Sequence, residues 1–275
     1  MSRLAVATWN AEGMFVVGTR TRRGSPDDAI AVVKELDADI ITIPEFGRYQ
    51  QLMPEHRQAL TKLGYSCTEI PYEQEDLAPE VSLVVLSRLA IRSSKVHRLG
   101  GMRNYLELRC LDKGSAELRI IAVHLDDRSE QLRLKQIVDV EHIVMTVSVV
   151  PTLVMGDLNA MDKSSNFARV ARSRIAKTII RLIPHHQLKG MALRVNEMAI
   201  GTTIQHFLNA TNLHNLDPGI KRTISAKQYG VEWAPKMKLA KIDWIFGTDH
   251  FNVEDYQVWR DVGSDHRPVR ATLCY

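Results

Sequence analysis

The sequence predicts an α/β protein in which short buried strands alternate with amphipathic helices and the polar residues gather where strands end. Three observations carry this. The run Thr152-Leu153-Val154-Met155-Gly156-Asp157-Leu158-Asn159-Ala160 is apolar up to a glycine and then delivers an acid and an amide two residues apart. The β-branched run Ile40 to Ile43 follows a segment with strong helix-start chemistry, Ser25-Pro26-Asp27-Asp28. A long helical pattern from Arg128 to Val147 separates the strand ending at His124 from the strand leading into Asp157, as a crossover does. Alternate residues leave a strand on the same face, so Asp157 and Asn159 point together into a crevice while Leu158 turns back to the core. The plainer reading of a lone Gly-Asp-x-Asn is a strand ending in a polar turn. The other strand exits separate the two.

Length and composition set the bounds. A chain of 275 residues, 45% hydrophobic and 25% charged, can bury a large core, and one domain over 1–275 is the simplest organisation. The formal charge of +4 suits a phosphate-bearing partner without requiring one. Cys67, Cys110 and Cys274 are odd in number and in no metal or redox spacing, which argues for reduced thiols and against a structural zinc. Leu4 to Thr8 is too short for a signal-peptide core, and no apolar run is long enough to span a membrane. The expectation is a soluble, cytoplasmic protein.

In chain order, Arg3 to Asn10 reads as an entering strand with Asn10 and Glu12 at its polar exit, both able to face a metal. Ser25 caps a helix whose buried stripe is Ile30, Val33 and Leu36, with its acids at the positive end of the dipole. Ile40 to Ile43 then ends in Pro44-Glu45-Phe46-Gly47, a carboxylate at a strand exit that also suits an ordinary helix start. Gln51 to Leu63 is a helix stopped by Gly64, Glu73 to Glu80 an acidic surface loop, and Val81 to Leu86 a buried strand running into Ser87-Arg88. Tyr105 to Leu111 and Glu117 to His124 form a hairpin about Asp112-Lys113-Gly114-Ser115. A histidine at its end is more often structural than catalytic.

Beyond Asp157 the character changes. From Lys163 to Arg194, and within a helical insert at about 163–200, apolar residues from Phe167 to Leu182 recur at helical spacing while Arg169, Arg172, Lys177 and Arg181 fall largely on the other side. Such a basic amphipathic helix most often packs its apolar face on the domain and solvates its charges; nucleic acid or anionic lipid are the other partners it fits. After a polar region from Asn209 to Ala240, Lys241 to Phe246 is a strand carrying Asp243, and Ser264-Asp265-His266-Arg267-Pro268 is a loop leading into the final strand.

Asn10, Glu45, His124, Asp157, Asn159, Asp243, Asp265 and His266 thus all lie on or beside strand ends. With Thr8-Trp9-Asn10, Pro44-Glu45, Val123-His124-Leu125, Gly156-Asp157-Leu158-Asn159-Ala160, Ile242-Asp243-Trp244-Ile245 and Ser264-Asp265-His266-Arg267-Pro268 in order, the chain resembles the endonuclease/exonuclease/phosphatase superfamily over nearly its whole length. The resemblance implies a DNase I-like four-layer sandwich, two packed mixed β-sheets flanked by helices, and a metal-dependent phosphoesterase. It implies Glu45 as the main ligand of Mg²⁺, or Mn²⁺, helped by Asn10 and Asp265. Asp157 would orient or deprotonate the attacking water, Asn159 and His266 would donate to phosphoryl oxygens, and Asp243 would hold the His266 ring. His124 would assist departure of the leaving oxygen or simply bind phosphate.

Two features depart from the family's commoner pattern. Pro44 stands where many relatives have glutamine, which leaves the carboxylate in place. His124, with Leu125 and the helix carrying Arg133 and Gln136, looks more like the sphingomyelinase and general phosphodiesterase branches than the exonuclease III type. The implied substrate is a phosphate ester, with nucleic acid favoured narrowly, a lipid or inositol phosphate next, and peripheral membrane contact through the basic helix as a further possibility. A phosphate-binding module of the same fold without turnover is the rival from a different class. An evenly basic surface with exposed aromatics would favour nucleic acid, whereas an apolar face open to solvent would favour a membrane.

Overall fold

The computed structural model describes residues 2–15, 24–47, 52–70, 82–100, 103–112, 114–146, 149–184, 186–219, 221–224 and 240–275. The expected acidic loop from Glu73 to Glu80, and most of the polar region before Ala240, lie outside the described residues. Two six-stranded sheets are present. The first has the order β11-β12-β1-β2-β4-β3, with β1 Arg3–Thr8, β2 Ile40–Pro44, β3 Ser66–Glu69, β4 Leu83–Ser87, β11 Asn252–Val258 and β12 Val269–Cys274. The second has the order β5-β6-β7-β8-β10-β9, with β5 Ala90–Leu99, β6 Arg103–Leu111, β7 Glu117–His124, β8 Thr152–Asp157, β9 His214–Asn215 and β10 Asp243–Gly247.

Each sheet is antiparallel except for one central parallel pair, β1 with β2 and β7 with β8. A helix links the strands of each pair, as parallel neighbours require: α1 (Pro26–Leu36) between β1 and β2, and α3 (Glu130–Met145) between β7 and β8. Both crossovers are well started. Ser25 caps α1 in a capping box with Asp28, and Ser129 caps α3 by accepting from the Leu132 N–H. The buried face of α1 is Ala29, Val32, Val33 and Leu36, so the expected stripe is rotated and Ile30 is only half-buried.

Burial on both faces explains why the central strands read as continuous apolar runs. Val6, Ile40, Ile120 and Leu153 point between the sheets into a common core. Their neighbours Ala7 and Ile41 point outward beneath α1 and α2 (Pro54–Lys62), and Ile121 and Val154 beneath α3 and α7 (Thr202–Ala210). The layers are therefore helix, sheet, sheet, helix, the four-layer arrangement implied by the sequence.

The basic insert departs from expectation. Instead of one helix from Phe167 to Ile183, the chain forms α4 (Asn166–Ala171) and α5 (Arg174–Leu182), followed by α6 (His186–Met198). Ser173 makes the break, since its hydroxyl accepts from the Ala176 N–H and caps a new helix. Arg172, expected on the solvated face, instead donates to the backbone carbonyls of Lys163 and Ala168. Ala168, Met198 and Ala199 pack with Met161, Ile224 and Ile242, which anchors α4 and the end of α6. No residue of α5 is buried. The expected apolar stripe therefore does not pack as a whole: Ile175, Ile179 and Leu182 are 73%, 57% and 75% exposed.

Candidate active site

Six segments at the ends of the interior strands of the two sheets converge. β1 and β2 continue past their ends side by side, the Ala11, Gly13 and Phe15 N–H groups donating to the carbonyls of Pro44, Glu45 and Phe46. This zipper sets Asn10 beside Glu45. In the second sheet β7 and β8 pair so that His124 lies opposite Asp157, while antiparallel β10 sets Asp243 opposite Asp157 from the other side. The loop before β12 brings in Asp265 and His266. Ser264 fastens it, donating from its hydroxyl to the Asn10 carbonyl at 2.6 Å and accepting from the His266 N–H.

Gly156 makes the approach of β8 to β7 possible. Its φ is +147°, and a Cβ there would meet the Val123 carbonyl oxygen at 1.9 Å, so only glycine fits. Strain gathers at the same end of the molecule. Glu12, Glu45 and Asn159 all have φ near +50°, a region that non-glycine residues seldom occupy and that is found mainly where surrounding contacts enforce it.

Asn10 bridges the sheets, its amide nitrogen donating at 3.0 Å both to Glu45 Oε1 and to Asp157 Oδ2. Its oxygen accepts from the Glu12 N–H. Asp157 is held at its other oxygen by the Asn159 N–H at 2.8 Å. Asn159 Nδ2 donates to the Leu125 carbonyl at 3.0 Å, so one of its two amide hydrogens positions the chain after His124. His266 Nδ1 lies 2.9 Å from Asp243 Oδ2, and its Nε2 is 3.7 Å from Asp157 Oδ2 and 3.8 Å from Asp265 Oδ1. His124 Nε2 stands 3.4 Å from Glu45 Oε1 and 3.9 Å from Asp157 Oδ2. All eight residues named from the sequence thus come together, Asp157 being the hub.

The electrostatics follow from crowding acids in a dry place. Burial first, and then the neighbouring Asp265 and Asp157 carboxylates, push Glu45 up to about 8, despite the Asn10 hydrogen bond. Burial likewise raises Asp157 to about 7, with Asp243 adding to the rise and the His266 charge opposing it. Burial disfavours a charged His266 ring, yet Asp243, Asp157 and Asp265 together outweigh it and hold this histidine well above its ordinary value. It is an imidazolium near neutral pH, with Nδ1–H donating to Asp243 and Nε2–H directed into the site.

The donor chemistry fits a hard divalent cation. Glu45, Asp157 and His124 offer ligand atoms within 4.8 Å of one another, as do Asp157, Asp243 and His266. The weakly positive Asn10 amide bridges the two raised carboxylates, and turning that amide over would offer its oxygen instead.

Arg103 was not singled out from the sequence. It is buried, opens β6, and sets its Nη1 3.0 Å from His124 Nδ1 and its Nη2 3.5 Å from Asp127. The hairpin register, which pairs Leu106 with Ala122, brings it there, and a reading that began the strand at Tyr105 left it outside. Glu12 also gains a specific role, its carboxylate accepting from the Asp265 N–H.

A mixed α/β sandwich whose parallel strands end in such a carboxylate and imidazolium cluster defines a class of phosphoester-handling proteins. The chain belongs to the Endonuclease/Exonuclease/phosphatase family, whose model matches residues 7–266. Members of that family are hydrolases acting on phosphoester bonds and generally use a divalent metal. Similar solved structures include an endonuclease/exonuclease/phosphatase from Beutenbergia cavernae DSM 12333, with 20% identity, a TM-score of 0.67, and coverage of 98% of this chain and 71% of that one. A mannosyl-6-phosphatase from Bacteroides thetaiotaomicron VPI-5482 shares 14% identity with a TM-score of 0.66, over 99% of this chain and 100% of that one. The human Nocturnin catalytic domain with bound sulfate anion shares 14% identity with a TM-score of 0.64, over 99% and 93%. These likenesses establish the DNase I-like fold. No curated sequence matches the chain.

Proposed function

We propose that the protein is a Mg²⁺-dependent phosphoester hydrolase that uses water as its nucleophile, with the whole chain serving as one catalytic unit and the helices from Asn166 to Met198 as an insert in it. The observation that carries this reading is the position of Asp157, poised between Asn10 and Glu45 on one side and the His266–Asp243 pair on the other. Glu45, with Asp265 and the turned-over Asn10 amide, would hold the cation, which supplies a Lewis acid for a phosphoryl oxygen and offsets the charge developing there.

The remaining work falls to the protein's own groups. Asp157, with one oxygen fixed by Asn159 and a pKa of about 7, holds the water and takes its proton as the oxygen bonds to phosphorus. His266 donates from Nε2 to a phosphoryl oxygen, and Asp243 keeps the ring charged and oriented. The second Asn159 amide hydrogen is available to another phosphoryl oxygen. As the P–O ester bond breaks, the departing alkoxide takes a proton from solvent or from His124.

The sequence leans narrowly to nucleic acid as substrate, a partner that the positive charge of the insert would suit. The bare aliphatic face of α5 favours the second reading, a phosphoester of a lipid or its headgroup. The deciding experiment for the chemistry is hydrolysis of an activated phosphodiester and an activated monoester with Mg²⁺, with Mn²⁺ and in chelator. Turnover should require the cation, and Glu45→Gln should raise the concentration needed. Hydrolysis undiminished by excess chelator would overturn the reading.

A further inference from the structure

The insert has a feature the hydrolytic site does not use. Between Lys163 and Asn196 the sequence carries eight Lys or Arg and no Asp or Glu. Within this stretch α5 is the element with nothing buried. Its inward face consists of Ala176, Ile180 and Ile183, all half-exposed, and its outward surface has two halves. Ile175, Ile179 and Leu182, spaced i, i+4 and i+7, form an aliphatic strip open to solvent. Arg174, Lys177 and Arg181, spaced i, i+3 and i+7, form a parallel basic strip, and all three are exposed.

A helix that only solvates its charges gains nothing from three large aliphatic side chains aligned in one solvent-facing strip, and contiguous exposed apolar surface of this kind marks a contact site. Single-stranded nucleic acid is held by basic residues interleaved with aromatics on which bases stack. Phe167 is the one Phe, Trp or Tyr from Lys163 to Asn196, and it is half-buried, packed against the cluster that holds Ala168. Basic and aliphatic strips side by side match the boundary of an anionic bilayer, where aliphatic side chains enter the acyl region and Lys or Arg meet the phosphates.

We propose that α5 is an in-plane docking helix for anionic phospholipid membranes. Its position ties docking to the catalytic rim. Arg194 on α6 pairs at 3.1 Å with Asp127, three residues beyond His124, and Arg103 reaches the other oxygen of the same carboxylate while touching His124. The docking helix thus belongs to a segment fastened to the loop that leaves His124. The proposal stands independently of catalysis, because membrane binding is read without turnover.

The test is co-sedimentation with vesicles of phosphatidylcholine containing phosphatidylglycerol, and of phosphatidylcholine alone, using the full chain. The parent should bind the anionic vesicles and not the neutral ones. Ile175→Ser/Ile179→Ser and, separately, Arg174→Gln/Lys177→Gln/Arg181→Gln should each weaken binding about tenfold or more, with melting temperatures unchanged because the side chains are exposed. Asp157→Asn should bind vesicles as the parent does, so a failure of the hydrolase reading leaves this result intact. A parent that ignores anionic vesicles overturns the proposal. So do isoleucine variants that bind like the parent, or that unfold. Loss of single-stranded DNA or RNA binding in the basic variant, with vesicle binding unaffected, would overturn it in favour of nucleic acid.

Discussion

At the strand ends, charge is buried and every acid leans on a neighbour; in α5, within the insert, aliphatic side chains stand in water and the charges beside them are spread out in solvent. Asp157 and Asp243 are 1% and 0% exposed, whereas Ile175 is 73% exposed. Both regions invert the usual rule that apolar groups go inside and ionised groups outside. An inversion inside the core costs desolvation and is sustained only by pairing and by a task that needs shifted pKa values. An inversion on the surface costs little in a monomer and is resolved by a second body. The first kind points to chemistry and the second to contact.

Breaking the first kind should have large effects. Asp157→Asn should lower turnover about 10²- to 10⁴-fold on any phosphoester while leaving the melting temperature at or above that of the parent, because it removes a buried acid without changing shape; near-normal turnover would take Asp157 out of the mechanism. Gly156→Ala should destabilise the protein by about 3 kcal/mol or more, since a Cβ must displace the β7 backbone at an unfavourable φ. A melt superimposable on that of the parent would show that β8 can move away. Asp243→Asn should cost about 10²-fold or more in turnover and displace the pH profile, as His266 loses the carboxylate that keeps its ring charged and oriented.

The acids also predict a pH dependence whose sign is fixed. Glu45 and Asp157 have folded-state values of about 8 and 7, above those of an unfolded chain, so the folded state holds extra protons. Without metal, their contribution to stability is full below the ordinary carboxylate range near 4 and is lost as pH rises through 7 and 8. His266, also raised, changes in the same sense as pH passes its folded-state value. Added Mg²⁺ needs the ionised acids, so its effect on melting temperature should be larger at pH 8 than at pH 5.5. An equal shift at both pH values would separate the cation site from these carboxylates. Smallest of all should be Ile175→Ser/Ile179→Ser, within about 0.5 kcal/mol of the parent in stability and indistinguishable on a soluble ester, because exposed positions away from caps and cores are tolerant. A large loss of either would mean that α5 is packed, and would erase the contrast.

Much of this was legible in the sequence, and what was not legible has a common cause. The eight interior strands could be read because burial on both faces leaves continuous apolar runs ended by polar residues, as in Ile40–Pro44 and Thr152–Asp157. The four strands missed, β3, β5, β9 and β11, are the four sheet edges. Ala90–Leu99 is exposed along most of its length, and Asn252–Val258 carries Glu254, Asp255 and Gln257, so their strand character resides in backbone pairing that side chains do not announce. The candidate site was legible because each of its residues lies on or beside an end of an interior strand. Arg103 escaped because its meaning depends on the hairpin register, and the break at Ser173 because a helical period continues across it in the sequence.

Asn10, Glu45, Asp265 and His266 are carried by segments of one sheet, and His124, Asp157, Asn159 and Asp243 by segments of the other. Neither sheet owns the reaction. The candidate site is in effect a gauge of how the two sheets are seated: the Asn10–Asp157 hydrogen bond of 3.0 Å spans the seam, and under the proposed mechanism a slip of about 1 Å along it would misalign water and phosphate enough to cost about 100-fold in rate. On gentle heating or in mild denaturant, turnover should therefore fade while each sheet still holds its hydrogen bonds, and hydrolysis would sense a loosening of the core that circular dichroism does not.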